Sequence, residues 1–260
     1  MKRYISLIAV LLAVSLLFAG CNKKPATIED AEEAAKEAEP VLVQLQDPQP
    51  GSELVTMETN FGDITFMLFP DDAPKAVENF IAHAKNGYYN GLTVDKVMND
   101  CMIRMGDPTG SGLDMGKSIW PTQPRFDAEM SWNLWHFTGA LAYYNNSAEE
   151  GKKENGSQFF IVSGAEITPQ MLREMQDIFP DNVTQAYAEM GGQPGMDTHY
   201  TVFGQVIEGM DVVREIAALE TQILAPEGDI TVPRNGVPVE EVLITGFSFE
   251  TVPEEASAAE

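Results

Sequence analysis

Few side chains in this sequence have the types and spacing that covalent or metal-assisted chemistry requires. His83, His136 and His199 are scattered along the chain without the spacing of metal ligands, so a metal site is not expected. We interpret Cys101 as a small buried hydrophobic residue rather than as a reactive thiol. The sequence therefore shows no combination of nucleophile, base and metal ligands.

Two cations, Lys96 and Arg104, are the remaining candidates for chemistry in this part of the chain. They are either solvated surface charges or groups that face a binding groove. A guanidinium can hold two acceptors in fixed geometry, whereas an ammonium acts as a point charge on a flexible stem. The residues alone leave both alternatives open.

The first residues have the order of an export signal. Lys2 and Arg3 precede an uncharged apolar run, residues 5–18, which is too short for a confident membrane span. The next residues, Phe18-Ala19-Gly20-Cys21, resemble the lipobox of bacterial lipoproteins, in which the cysteine is acylated. We therefore expect residues 1–20 to be a signal peptide and Cys21 to be lipidated. The protein would then be extracytoplasmic and anchored to the bacterial cell membrane through its acyl chains.

Composition limits the partners of the mature protein. The 260 residues are 44% hydrophobic, which is enough to bury a full core. Removal of Lys2 and Arg3 with the signal takes the net charge from −24 to −26. Such a charge repels nucleic acid, so no nucleic-acid role is expected. If Cys21 is acylated, Cys101 is the only thiol left and an intramolecular disulfide is impossible.

Charge and proline content divide the chain. Residues 21–52 contain a charged, alanine-rich stretch and two late prolines, and they are predicted to be an acidic flexible linker. Residues 53–250 are predicted to form the globular domain, and residues 251–260 an acidic tail.

Hydrophobic patterning predicts a largely β domain. Alternating runs at 54–59 and 63–68 indicate a hairpin, and a helix is expected from Pro74 to Gly87. Short apolar runs over 93–161 suggest further strands, for which a closed barrel and a sandwich are both consistent. A helical insertion is expected at about 165–196.

Four segments resemble the cyclophilins closely and in the family order. They are NGYYNGLT from Asn86, MGDPTG from Met105, NGSQFFI from Asn155 and TVFGQVIEGMDVV from Thr201. The resemblance implies a mainly β fold, namely a closed eight-stranded antiparallel barrel capped by two helices, with the helical insertion as an addition. It also implies peptidyl-prolyl cis-trans isomerase activity without a cofactor.

The resemblance assigns site residues position by position in the first half of the domain. Lys96 stands where the family has its catalytic arginine, and Arg104 replaces a glutamine beside that position. Arg104 could compensate for the weaker geometry of a lysine. Cys101 replaces a phenylalanine of the proline pocket, and Met102 keeps the family residue. The implied catalytic residues are therefore Lys96 and Arg104, with Cys101 and Met102 as substrate-binding residues.

The second half of the domain supplies the other implied substrate-binding residues. Tyr144 occupies a position where a small alanine is usual, so it is expected to narrow the groove. Asn145, Gln158 and Phe160 match the family, with Gln158 as the peptide-backbone contact and Phe160 as the floor of the proline pocket.

A last segment departs from the family pattern. Gly195 takes the place of a tryptophan, Met196 of a leucine and Tyr200 of a histidine. Without the indole at Gly195, weak binding of cyclosporin-like inhibitors is expected. Met196 and Tyr200 complete the implied substrate-binding residues.

Two functions are consistent with these residues. The first is an isomerase that acts on proline-containing segments of unfolded exported proteins, without a covalent intermediate. The alternative is a catalytically weak or inactive proline-peptide-binding chaperone, because Lys96, Cys101, Gly195 and Tyr200 depart together from the family pattern. A solute-binding lipoprotein would rest on the anchor alone.

Overall fold

The computed structural model describes residues 39–110, 125–145, 153–225 and 234–254. The chain separates into two units, Met1–Val41 and Leu42–Glu260. The predicted signal peptide, Cys21 and most of the predicted linker lie outside the described residues, as does most of the acidic tail. Within the described ranges, every helix is too short or too polar to span a bilayer.

Strands dominate the Leu42–Glu260 unit, and eight of them form one curled antiparallel sheet. The strand order in this sheet is β12-β1-β2-β9-β6-β8-β4-β3, while β5 pairs with β7 and β10 pairs with β11. The strands are β1 Glu53–Thr59, β2 Gly62–Leu68, β3 Val94–Met98, β4 Met102–Met105, β5 Phe126–Asp127, β6 Ala140–Tyr143, β7 Glu154–Asn155, β8 Phe159–Val162, β9 Thr201–Glu208, β10 Thr221–Leu224, β11 Arg234–Pro238 and β12 Ile244–Thr251. The predicted hairpin is confirmed as β1 and β2.

The predicted closure of the barrel is wrong, because the sheet forms an open half-barrel. Within the described residues, the two edge strands β3 and β12 share no ladder. They approach each other only near their first residues, at an isolated bridge between Thr93 and Leu243 and through backbone hydrogen bonds such as that from Val94 to Val242. Every residue of β12 with a ladder partner pairs with β1. Along β3 the neighbour is instead β11, and a Cβ on Gly236 would lie 2.7 Å from the carbonyl oxygen of Val97. The β10–β11 hairpin thus packs beside the strand that would have to pair with β12 to close the barrel.

Four α-helices occur in the described residues: α1 Pro74–Lys85 and α4 Met210–Ala217, and, in the stretch of the predicted insertion, α2 Pro169–Met175 and α3 Asp181–Met190. Two of them pack on the sheet: α1 contacts β9 and β12, and α4 contacts β2, β3 and β4. The sequence accounts for α1, since Pro74 occupies its first turn and the buried residues recur at helical spacing.

Helices α2 and α3 lie in the stretch where the helical insertion was predicted. Their apolar faces form a second hydrophobic cluster separate from the core of the half-barrel. In this cluster the rings of Phe137 and Tyr187 are 4.7 Å apart, and both side chains are fully buried. The insertion therefore has a core of its own, anchored on the segment that precedes β6.

A short turn before β1 belongs to the folded unit. Gln44 is buried. Its side-chain oxygen accepts from the backbone amide of Trp135, and its side-chain nitrogen donates to the carbonyl oxygen of Trp135. It also donates to the side chain of Gln205 at 2.9 Å. The predicted boundary at residue 53 stays a prediction, but ordered contacts begin earlier, at the 3-10 turn Val43–Leu45.

The family-like strings MGDPTG and NGSQFFI contact each other through the backbone. Gly106 has a φ of +91°, and a Cβ there would lie 2.4 Å from the carbonyl oxygen of Ser157. Only glycine allows both the positive φ and this approach. The hydroxyl of Ser157 in turn donates to the carbonyl oxygen of Gly106 at 2.7 Å.

Phe80 on α1 is the central aromatic residue of the core. Its ring centroid lies 5.2–5.8 Å from the rings of five other aromatic residues, namely Phe66, Tyr89, Phe159, Phe203 and Phe247. We predict that Phe80→Ala lowers the free energy of unfolding by about 3–5 kcal/mol, because it removes a fully buried ring and leaves a cavity. Urea denaturation followed by circular dichroism measures this loss.

Ile178→Ala is the matched control for the loss of a large apolar side chain. Ile178 is 76% exposed, so its truncation should change the free energy of unfolding by less than about 0.5 kcal/mol. Equal destabilisation by the two substitutions would contradict this description of the core.

Candidate active site

The outer face of the sheet carries the residues of the candidate site. Arg104 on β4 and Ala142 on β6 both pair directly with Phe160 on β8. Directly paired residues project to the same side of a sheet, so these three side chains share a face, and Met102 lies on it two residues along β4. The alternate residue Phe159 turns inward to the core around Phe80.

Arg104 is held by a buried ion pair with Asp95. Its Nε donates to the Asp95 carboxylate at 3.0 Å, and its Nη2 donates to the same oxygen. The two side chains are only 5% and 2% exposed. The third nitrogen, Nη1, donates no hydrogen bond within the described ranges. Asp95 was not predicted from the sequence; it adjoins a register shift in which Val94 pairs with Met105 and Lys96 with Arg104.

The buried position of Asp95 alters its protonation. Burial raises the pKa of the Asp95 carboxyl above its ordinary value of 3.8, although the charge and hydrogen bonds of Arg104 lower it in part and Asp107 raises it. An acid whose pKa is higher in the folded state destabilises folding as the pH rises above its unfolded pKa. The ion pair is formed only above the raised pKa and is lost as the pH falls through it.

One aromatic ring contacts the guanidinium and two more continue from it; we call the three residues, Tyr144, Tyr200 and Phe160, the aromatic wall. The Arg104 guanidinium lies over the Tyr144 ring, 4.6 Å from its centroid, in the geometry of a cation–π contact. The Tyr144 ring stacks on Tyr200 at 5.8 Å, and Tyr200 meets Phe160 edge to face at 5.2 Å. Burial raises the pKa of the Tyr200 hydroxyl, so this group is neutral at physiological pH.

Tyr200 of the aromatic wall packs on Phe160, which is the predicted floor of the proline pocket. Phe160 is fully buried and Met102 is 6% exposed, while Tyr144 and Tyr200 are half-buried. The rings of both Tyr200 and His136 pack against Phe160, which has no exposed surface in this structure. Narrowing of the groove by Tyr144 stays a prediction, and the structure places the Tyr200 ring directly against Tyr144.

The predicted polar contacts lie at the edge of this wall. Gln158 is fully buried, and its carbonyl oxygen accepts from the amide of Tyr144 at 3.0 Å. The side-chain amide of Asn145 donates to the carbonyl oxygen of His199 at 3.0 Å. Asn145 thereby ties the end of β6 to the segment that leads into β9.

Lys96 lies beside Arg104 in the sheet but is held differently. It is half-buried, and a Cβ on Gly236 would lie 3.5 Å from the Lys96 Cγ, so its stem runs past the β10–β11 hairpin. The Lys96 side chain makes no hydrogen bond or salt bridge to any residue that the structure describes. Burial raises the pKa of the nearby Cys101 thiol, and the Lys96 charge opposes that rise. Cys101 is half-buried rather than fully buried, and it packs against the core of the half-barrel.

A buried polar network lies beneath the aromatic wall, and sequence reasoning missed it. The Asp197 carboxylate accepts from the amide of His136 and contacts its Nδ1, and it accepts from the Tyr187 hydroxyl at 2.6 Å. The His136 ring lies parallel to Phe160 at 6.0 Å. Because Tyr187 is on α3, the helical insertion supports the floor of the site. Asp197 directly follows Met196, a predicted substrate-binding residue, and this adjacency is the sequence signal that could have identified it.

The segment before β9 leaves open space beside the site. Gly195 is exposed, and a Cβ built on it would meet no atom within 4 Å. Its neighbour Met196 is half-buried against the core. The described residues contain no group of three histidine, cysteine or acidic side chains that could hold a metal ion.

The half-barrel, its capping helices and this face define a cyclophilin-type protein. The family model described as "Cyclophilin type peptidyl-prolyl cis-trans isomerase/CLD" matches residues 54–246. The chain therefore belongs to this family and is a peptidyl-prolyl cis-trans isomerase, which confirms the family resemblance seen in the sequence.

Relatives and solved structures agree with this assignment. A Staphylococcus saprophyticus protein named "Putative peptidyl-prolyl cis-trans isomerase" is 48% identical over 169 residues, 64% of this chain and 82% of the relative. A Staphylococcus aureus protein of the same name is 47% identical over 170 residues, 65% of this chain and 83% of the relative. The crystal structure of a Cryptosporidium parvum cyclophilin superposes with a TM-score of 0.56 at 26% identity, covering 78% of this chain and 99% of that one.

Gly195 predicts the response to cyclosporin-like inhibitors. We expect the wild-type protein to bind them weakly and Gly195→Trp to bind at least about tenfold more tightly, because the indole adds a donor and a large buried ring. Isothermal titration calorimetry measures the change. Ile178→Trp, which adds an indole on the remote insertion, is the control and should leave affinity unchanged. Nanomolar binding by the wild type would contradict the alignment at Gly195.

Proposed function

We propose that this isomerase acts on proline-containing segments of exported proteins, and that Arg104 is its principal catalytic cation. The observation that carries the proposal is the buried guanidinium, fixed by Asp95 through Nε and Nη2 on the same face as Phe160. The remaining nitrogen, Nη1, is the donor that a bound peptide would meet. A related Cryptosporidium parvum cyclophilin was crystallised in the presence of the dipeptide Ala-Pro.

The chemistry that this guanidinium has to perform is stabilisation of a twisted amide. Amide resonance opposes rotation about the bond before proline by about 18–20 kcal/mol, and uncatalysed exchange takes about tens to hundreds of seconds. As the bond twists, the prolyl nitrogen recovers its lone pair and becomes a better acceptor. A hydrogen bond to that nitrogen is then stronger in the transition state than in the ground state, which is the condition for catalysis. No bond to the protein has to form.

The surroundings of Arg104 strengthen this hydrogen bond. A charge with 5% side-chain exposure interacts with little screening by water, and a donor fixed before the reaction needs no reorganisation during it. The guanidinium is held both by the carboxylate of Asp95 and by the face of Tyr144. The role of the family's catalytic arginine is thus divided between two strands, with Arg104 as the fixed donor and Lys96, at the family position, as a second charge.

The aromatic wall is the proposed seat of the pyrrolidine ring. An apolar ring packs against the edges and faces of tyrosine and phenylalanine with favourable dispersion and desolvation. Displacement of Tyr200 from Phe160 would open the floor, whereas Cys101 and Met102 would border the ring on the β4 side. Binding is expected to be weaker than in an open groove, because part of the binding free energy is used to move Tyr200.

Arg104→Gln tests the catalytic assignment. Loss of the charged donor is expected to lower kcat/KM by about 100-fold or more, whereas Lys96→Ala should lower it by about tenfold or less. A protease-coupled assay on proline tetrapeptides gives both values. Gln keeps an amide donor and fits the buried site better than alanine. Lys85→Ala, which removes a half-exposed cation paired with Glu53, is the control and should leave the rate unchanged.

Two results would contradict the assignment. Unchanged kcat/KM in Arg104→Gln, with the fold intact by circular dichroism, would remove Arg104 from the mechanism. Peptide binding by the wild type without any acceleration would leave only the proline-peptide-binding chaperone.

The proposed location is the outer side of the cell membrane, with an acyl anchor on Cys21. The support is the order of charged residues, apolar run, small residues and cysteine at the start of the chain. An anchored isomerase would meet exported chains while they are unfolded, when slow proline isomers limit folding. The net charge of −26 after removal of the signal would keep the tethered domain away from anionic headgroups.

Cys21→Ser tests the anchor. We expect the wild type to sediment with membranes of a bacterial host and to incorporate a labelled fatty acid, and the variant to lose both properties because it has no acceptor thiol. Cys101→Ser, which changes the other cysteine, should retain both. Fatty-acid label in Cys21→Ser, or none in the wild type, would contradict lipidation at this residue.

A further inference from the structure

Asp95 has features that its contribution to stability does not explain. Its side chain is 2% exposed, and its Oδ1 is buried without a hydrogen-bond partner among the described residues. Burying a carboxylate and a guanidinium costs several kcal/mol per ion, so such pairs are often no more stable than apolar residues of similar volume. A pair kept under these conditions fixes side-chain position more than it stabilises the fold.

The geometry of the pair is one-sided. A single carboxylate oxygen of Asp95, Oδ2, accepts hydrogen bonds from both Nε and Nη2 of Arg104. Tyr144 supports the flat face of the same guanidinium. With one edge and one face occupied, the long arginine side chain loses its rotational freedom, and Nη1 remains as the free donor within the described part of the site.

The position of Asp95 in β3 makes this contact feasible. In a regular antiparallel ladder, the neighbour of the Lys96–Arg104 pair would be a pair between Asp95 and Met105. Instead the register shifts between Val94 and Lys96, so Asp95 is the unpaired residue. A bulge of this kind redirects a side chain relative to the regular alternation. Asp95 therefore reaches the guanidinium on β4 from the neighbouring strand.

We propose that Asp95 is a positioning residue for catalysis, which clamps Arg104 so that its Nη1 faces the prolyl nitrogen of the bound peptide. This inference rests on the proposed role of Arg104. It gives a role to a residue that was not among the site residues predicted from the sequence.

One consequence is a fall in the isomerase rate on the acidic side of its pH profile, which we call the acid limb. The groups that face or adjoin the pair are Arg104 and Asp107 from the β4 side, Lys96 from β3, and Tyr144 beyond the guanidinium. The Asp95 carboxyl protonates at a higher pH than an ordinary aspartate, since burial dominates over Arg104. Protonation breaks the charge-assisted bonds to Nε and Nη2, so kcat should fall as the pH drops through that raised pKa.

The experiment compares Asp95→Asn and Asp95→Glu with the wild type across pH. In Asp95→Asn, kcat is expected to drop about tenfold with KM changed less than about twofold, and the acid limb should disappear because no titrating group remains. Asp95→Glu should restore part of kcat and keep the limb, since it retains the carboxylate. A merely structural role for Asp95 would not move the pH profile in this way.

A double-mutant cycle separates the two proposals. If Asp95 acts through Arg104, then Asp95→Asn has no further effect on kcat in the Arg104→Gln background. If Arg104→Gln lowers kcat but folded Asp95→Asn does not, the positioning role is overturned while the catalytic role of Arg104 stands. If Arg104→Gln has no effect on kcat, the catalytic role of Arg104 is overturned, and the positioning role of Asp95 is overturned with it.

The pH profile of the wild type keeps the proposal testable should Asp95→Asn not fold. Isomerase assays with circular dichroism at each pH should show an acid limb while the fold is intact. A rate that stays constant down to the ordinary aspartate range in folded protein would overturn the clamp, because the carboxylate would then be protonated without consequence.

Discussion

The pairing of β4 with β8 is the constraint on which the site depends. It sets Arg104 directly beside Phe160, so that a cation and an apolar ring occupy neighbouring positions on the same face. The inward residues of the same strands, including Phe159, pack around Phe80. A slip of one residue would turn the core residues outward and the site residues inward. The register of the site is thus fixed by the burial of the core.

Within that register, local contacts determine which cation is held in place and which side chains lie over Phe160. The fixed cation lies on β4, held by a carboxylate from β3, while Lys96 at the family position extends past the β10–β11 hairpin. Tyr144 and Tyr200 fill space above Phe160. This face of the sheet therefore carries a buried, ion-paired guanidinium beside a group of packed aromatic rings.

The helical insertion connects to the site through buried polar groups rather than through the peptide groove itself. Tyr187 on α3 and His136 meet at the Asp197 carboxylate, and His136 lies against Phe160. An unpaired buried carboxylate would be costly, so these hydrogen bonds tie the insertion to the segment that precedes β9. Substitutions in α3 can in this way reach the floor of the site.

The sequence by itself determined the family, the β1–β2 hairpin, α1 and the position of the insertion, because these depend on local periodicity, turn residues and strings such as NGSQFFI. It also selected Arg104 as a candidate cation. Only the tertiary structure decided that the barrel is open at β3 and β12 and that Asp95 holds Arg104. Both depend on which strand lies beside β3 and on a register shift within it, and non-local packing sets these features without leaving a pattern in the chain.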